Sequence, residues 1–222
     1  IEVTYYYRLK DSSVIVHHYL QGTTTQVPSK DGEVVADETI TGKIGETYTT
    51  KASENIATNY EYVSKTANSE GTITSETIEV IYYYKMKDGT IKENNVTKQG
   101  ATLLQNANDV ITYNISYTTT VTNYKGRVQV IVTDKLPQTI DETRSNLAGG
   151  EYDSTNKTIT WKQYIPDVDT LNGEELVITV SKQISLVYNS LELGTTISNK
   201  IEGTVKLLDT NQEKTDTDEQ ET

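Results

Sequence analysis

The chain has 222 residues, 32 acidic and 20 basic, giving a net charge of -12 at neutral pH. Like-charge repulsion argues against nucleic acid and anionic membrane as partners, and no apolar run reaches the length of a helical bilayer span. There is no cysteine, which excludes disulfides and thiolate metal sites. The 16 tyrosines and abundant threonine and valine are residue types that suit pleated, half-buried strands.

Residues 1–13, IEVTYYYRLKDSS, return as IEVIYYYKMKDGT at 78–90, with eight of thirteen positions identical. Such self-similarity marks a tandem array. The first copy reads as the closing strand of a preceding repeat, and a chain that opens at Ile1 inside this pattern reads as a piece of something longer. In each copy the first and third tyrosines share one strand face and the middle one points the other way. Between the copies the alternation of VIVHHYL (14–20) predicts a strand. A polar excursion with Pro28 and Asp31-Gly32 follows, then TITGKIGETYTT (39–50), NYEY (59–62) and GTITSETIEVIYYYK (71–85). Gly42 and Gly45 suit a tight turn with close backbone approach.

This order of motifs, over about residues 9–87, resembles the mucin-binding-protein (MucBP) repeat of lactobacillal and listerial surface proteins. The stretch Thr41-Gly42-Lys43-Ile44-Gly45-Glu46 carries the most specific part of the resemblance. It implies a small β module of ubiquitin-like, β-grasp type over residues 1–90. One departure is Asn59, where the family has glycine; asparagine tolerates left-handed geometry next best.

The second half changes character. VITYNISYTTTV (110–121), VQVIVTDKLP (128–137), KTITW (157–161), ELVITVSKQI (175–184) and TTISNKIEGTVKL (195–207) are strand-like. Turn signals at Tyr124-Lys125-Gly126 and Asn172-Gly173 separate them, the spacing of an immunoglobulin-like sandwich. The series resembles the conserved-repeat Ig-like domains of Gram-positive wall proteins and the crosslinked collagen-adhesin A-type stalk domains, over about residues 92–208. The expectation is therefore an all-β chain, a MucBP-like module followed by an Ig-like β-sandwich over 91–208. Residues 209–222, polar and acidic with no apolar side chain, read as a disordered linker or tail.

The resemblance to the crosslinked stalk domains implies an intramolecular isopeptide bond between Lys98 and Asn199, assisted by Asp134. The amine must be neutral to attack, and burial favours that form; the same burial keeps the acid protonated. Uncrosslinked Ig-like relatives offer the other reading, in which Asp134 caps a turn and Asn199 bonds at a strand end. Other candidates are weaker. His17 and His18 are adjacent on a strand and face opposite sides, so they cannot chelate one ion together. Asp167, Asp169, Asn172 and Glu174-Glu175 have calcium-ligand types, but the spacing misses the EF-hand pattern and Asn172-Gly173 is explained as a turn. Alternating tyrosines fit cross-strand packing more simply than a sugar-stacking platform. With no nucleophile elbow, phosphate loop or metalloprotease motif, no enzyme activity on an external substrate, no cofactor and no metal site are expected.

Two roles follow from the resemblance: a stalk element, or a module that binds host mucin, glycans or an extracellular matrix protein. A targeting domain of a wall hydrolase is a remote third. Each implies a monomeric, extracellular, wall-attached protein whose neighbours are further repeats of the same chain.

Overall fold

The computed structural model describes residues 1–100, 109–190 and 198–221. The chain divides into two compact units, Ile1–Lys87 and Asp88–Thr222, and every regular element among the described residues is a β-strand.

In the first unit a mixed sheet is built from β1 (Asp11–Leu20), β2 (Glu38–Lys43), β4 (Tyr60–Lys65) and β6 (Ile78–Met86), in the order β2-β1-β6-β4. Its central pair, β1 and β6, runs parallel from Val14 opposite Ile78 to Leu20 opposite Tyr84. Alternation decides which side chains go inside: Val14, Val16 and His18 from β1 meet Val80, Tyr82 and Tyr84 from β6. The buried hydroxyls of Tyr82 and Tyr84 are both bonded. Tyr82 Oη lies 2.8 Å from Thr50 Oγ1, while Tyr84 Oη lies 2.9 Å from His18 Nδ1 and accepts a bond from Ser53 N at 2.9 Å. Burial pushes the His18 imidazole below its usual range against the opposing pull of Glu38. His17, on the other face, pairs with Asp37 at 2.9 Å and stacks on Tyr19.

The turn expected from the glycines of 39–50 is made at Gly45, at φ +97°, which separates β2 from β3 (Thr47–Thr49), and β3 pairs with β5 (Glu70–Thr72). Gly42 is needed for another reason: a Cβ there would stand 2.6 Å from Ile73 Cδ1 and 2.8 Å from Glu46 Oε2. That carboxylate accepts the Lys43 amide at 2.9 Å and closes the turn. Asn59 does not use left-handed geometry; its carbonyl accepts the Lys87 amide at 2.8 Å instead. Residues 1–10 form no strand, and Tyr5, Tyr6 and Tyr7 are exposed where their repeat partners Tyr82 and Tyr84 are buried.

The second unit is an Ig-like β-sandwich. One sheet orders β7 (Thr90–Gly100), β8 (Ile111–Thr122) and β12 (Glu175–Leu186) as β12-β8-β7. The other orders β9 (Lys125–Lys135), β10 (Glu151–Asp153), β11 (Thr158–Asp169), β13 (Ser198–Leu207) and β14 (Gln212–Glu221) as β10-β11-β9-β13-β14. Of the strand expected over 195–207, residues 195–197 lie outside the described residues. The inward faces form one apolar cluster, with Ile115 and Tyr117 from β8, Val130 and Val132 from β9, Trp161 from β11, and Ile201 and Val205 from β13. At Gly203 a Cβ would come within 2.3 Å of the Tyr117 ring, so glycine lets the two sheets close there.

The acidic end of the chain corrects the reading from composition. Residues 209–222 carry no apolar side chain, yet Gln212–Glu221 forms a strand, paired antiparallel with β13 from Ser198 opposite Glu221 to Leu207 opposite Gln212. What holds it is polar. β7 ends its sheet with outward backbone donors unpaired, and the carboxylates of β14 take them. Asp216 Oδ2 accepts Val96 N at 2.9 Å, and Asp218 Oδ2 accepts Lys98 N at 2.8 Å. Gln212 brackets Gly89 through both its amide ends, at 2.8 and 3.1 Å. A test for apolar burial misses a strand retained by its acids.

Replacing both Asp216 and Asp218 with alanine is expected to destabilise the second unit by about 2–4 kcal/mol, since charged hydrogen bonds each contribute about 1.5–3 kcal/mol. Urea unfolding measures this, and an unchanged midpoint would contradict the role given to the acids.

Candidate functional site

Among the polar side chains buried in the sandwich are Lys98 at 1% exposure and Asp134 and Asn199 at 0%. Each is put there by strand alternation. Lys98 follows Val96 on the inward face of β7, Asp134 follows Val130 and Val132 on β9, and Asn199 precedes Ile201 and Gly203 on β13. Asp134 pairs directly with Ile201 across the β9–β13 ladder, so Asn199 is two residues away on the same face. Lys98 belongs to the opposite sheet, and its chain spans the core to reach them.

The amine arrives at bonding distance. Lys98 Nζ lies 2.5 Å from Asp134 Oδ1 and 2.6 Å from Oδ2, and 4.1 Å from the centroid of the Tyr113 ring. Asn199 Nδ2 donates to Tyr188 Oη at 3.2 Å. Asn199 also lies close enough to Asp134 to favour its charged form, and Asn199 Oδ1 is buried with no hydrogen-bond partner among the described residues. Lysine, acid and amide thus form one contiguous buried cluster, with Tyr113 and Tyr188 as its walls.

Burial dominates the electrostatics. It lowers the Lys98 ammonium to about 8 against the pull of Asp134, and raises the Asp134 carboxyl despite Lys98 and Asn199, which both favour its charged form. Both shifts favour the neutral pair of amine and carboxylic acid over the ion pair. A low-dielectric interior makes isolated charges costly, and transfer of one proton along a 2.5 Å contact removes both charges. The cluster therefore brings together an amine whose neutral form burial favours, a carboxyl group whose protonated form burial favours, and a carboxamide beside that acid.

Lys98, Asp134 and Asn199 were the residues expected from the sequence, and the fold brings all three together. Tyr188 and Tyr113 were not singled out. Tyr113 lies in the alternating run of β8, where its periodicity marks it only as core; Tyr188 follows the end of β12 at an isolated bridge to Ile140. Nothing in the sequence separates either from the other tyrosines. The remaining candidates are placed apart from the cluster. Asp169 pairs with Lys125 at 2.8 Å and accepts the Leu171 amide at 3.3 Å, and Gly173 turns at φ +83°. Among the described residues no group of three or more histidines and acids is placed to hold a metal ion.

Comparison with known proteins gives two kinds of likeness. Residues 21–85, within the first unit, match the MucBP domain family. No curated protein matches the chain. Among solved structures, it is similar to BcpA, the major pilin subunit of Bacillus cereus, at 14% identity and a TM-score of 0.35, over 96% of this chain and 69% of that one. It is also similar to the full-length major pilin SpaD from Corynebacterium diphtheriae, at 10% identity and a TM-score of 0.40, over 97% of this chain and 65% of that one.

Lys98→Met leaves Asp134 buried beside an apolar chain, whereas Lys98→Met with Asp134→Leu removes both polar groups. The double variant is expected to be the more stable by about 1–3 kcal/mol in urea unfolding, the usual cost of a buried polar group without its partner. A double variant less stable than the single would show that Asp134 is held by something other than Lys98.

Proposed function

We propose that the second unit is a self-crosslinking stalk element of a Gram-positive surface protein, in which Lys98 and Asn199 join through an isopeptide bond with Asp134 as proton carrier. The observation that carries this reading is the burial of the three side chains in one cluster between the two sheets. Atoms balance without any further reagent. Lys98 Nζ, as a neutral amine, adds to Asn199 Cγ; the Cγ–Nδ2 bond breaks; Asp134 gives its proton to the leaving nitrogen and takes one from Nζ. Ammonia leaves, and Asp134 ends in its starting state.

An unactivated carboxamide is a poor electrophile, so the acceleration comes from fixed proximity and exclusion of water, both of which the folded core supplies. Closing a loop of roughly a hundred residues stabilises the folded state by about 4–5 kcal/mol on the chain-entropy argument used for disulfides. It also does so in a chain with no cysteine. The bond links the first strand of the sandwich to β13, so tension on the chain passes through a covalent link rather than through the ladder of hydrogen bonds.

A second reading belongs to the first unit. The MucBP match over residues 21–85 supports binding of mucin glycans there. An open recess lined by Gln21, Gly22, Thr23, Thr24, Ser64 and Tyr83 combines an aromatic face with small polar groups, the combination that suits a sugar ring. Binding of the chain to immobilised mucin, lost with Tyr83→Ala, is the expected result; binding no greater than that of an unrelated acidic protein would contradict it.

Single-molecule stretching from the chain ends tests the stalk role. At about 3.3–3.6 Å per extended residue, a crosslinked chain withholds about 340 Å of contour length that an Asp134→Ala variant releases. Equal extension of the two chains would overturn it.

A further inference from the structure

The Asn199 amide carries an unresolved polar account. Its Nδ2 end donates to Tyr188 Oη at 3.2 Å, while Oδ1 is buried with no partner among the described residues. An unpartnered buried carbonyl oxygen is destabilising, because it has given up its bonds to water for nothing. The two ends of a carboxamide are isosteric, and a half-turn exchanges them. After that turn, Oδ1 lies within hydrogen-bond reach of the Tyr188 hydroxyl.

Burial raises the Asp134 carboxyl and so favours its protonated, donating form. Tyr188, 3% exposed, is raised far above the usual phenol range, by burial first and then by Tyr113 and Asp134, so it stays an O–H donor across the working pH range. Asp134 alone has two duties in bond formation: it polarises the amide oxygen and it must then release its proton to the leaving nitrogen. Once that proton has gone, a carboxylate beside the oxygen repels the charge that remains there. A second donor that never ionises meets that need.

We propose that Tyr188 is a catalytic residue of the crosslinking reaction, its hydroxyl donating to Asn199 Oδ1 and holding the negative charge that builds there as Lys98 Nζ adds to Cγ. Tyr188 exchanges no proton with the reactants, and the charge returns to the carbonyl when ammonia leaves. The hydroxyl is placed by a ring wedged beyond β12 at the bridge to Ile140 and by its neighbour Tyr113. This assignment rests on the Lys98–Asn199 bond proposed above.

The test follows the loss of one ammonia by intact mass during pulsed cell-free synthesis of the full chain. Three chains are compared: the native one, Tyr188→Phe, and Tyr117→Phe. The last removes a hydroxyl from the same core, where it donates to Asn94. Native chain and Tyr117→Phe are expected to lose ammonia at the same rate. Tyr188→Phe, with an unchanged amide-proton NMR fingerprint, is expected to be slower by at least about tenfold, a conservative bound beside the roughly hundredfold or more that loss of one oxyanion donor costs. Replacing Tyr188 by fluorinated tyrosines of rising acidity keeps the ring in place and is expected to raise the rate in step, an effect that a purely structural ring would not produce. If the native chain keeps its full formula mass, the bond itself is wrong. If the native chain crosslinks and Tyr188→Phe keeps pace, or the fluorinated series is flat, the bond stands and the role of Tyr188 falls.

Discussion

The second unit is organised around the cost of burying an amine and a carboxyl group between two sheets. Lys98 and Asp134 are as deeply enclosed as the valines beside them, and neither would be tolerated there alone. Contact between them allows one proton to move and both charges to vanish, the cheapest state available in that interior. In the crosslinking reading proposed above, that neutral state is also the reactive one, so the pairing that makes the core tolerable would be the one that readies the amine for the carboxamide.

That arrangement depends on a frame, and β14 is a central part of it. Asp218 binds the backbone amide of Lys98 on one sheet, while the ladder pairs Asn199 with Gln220 on the other. The acidic end thus touches the backbone of both residues proposed to join. Its carboxylates act where main-chain hydrogen bonds would otherwise be missing, at the edge of β7. A strand that composition marks as unable to fold is held by the strands that carry the reactants, and holds them in turn.

Much of this was legible in the sequence because strand alternation is a strict rule. Period-two patterns located β1, β6, β8, β9 and β12, and the order of motifs around Thr41–Glu46 and Thr133–Pro137 pointed to the two modules and to Lys98, Asp134 and Asn199. What stayed hidden was decided by single contacts rather than by pattern. Asn59 reads as left-handed until its carbonyl is seen to serve Lys87. β14 was hidden because its gain lies in satisfied backbone donors, which hydropathy does not register. Tyr188 was hidden because one tyrosine among 16 differs from the rest only in what its hydroxyl touches.

The central claim is that Lys98 and Asn199 are covalently joined in the native chain, and peptide mapping after tryptic digestion reads this at the residues themselves. An acylated Lys98 is not cleaved, so the account requires a branched product in which residues 93–125 are linked to residues 183–200, lighter than the two together by one ammonia. Recovery of linear peptides 93–98 and 183–200, each at its full formula mass, would contradict it.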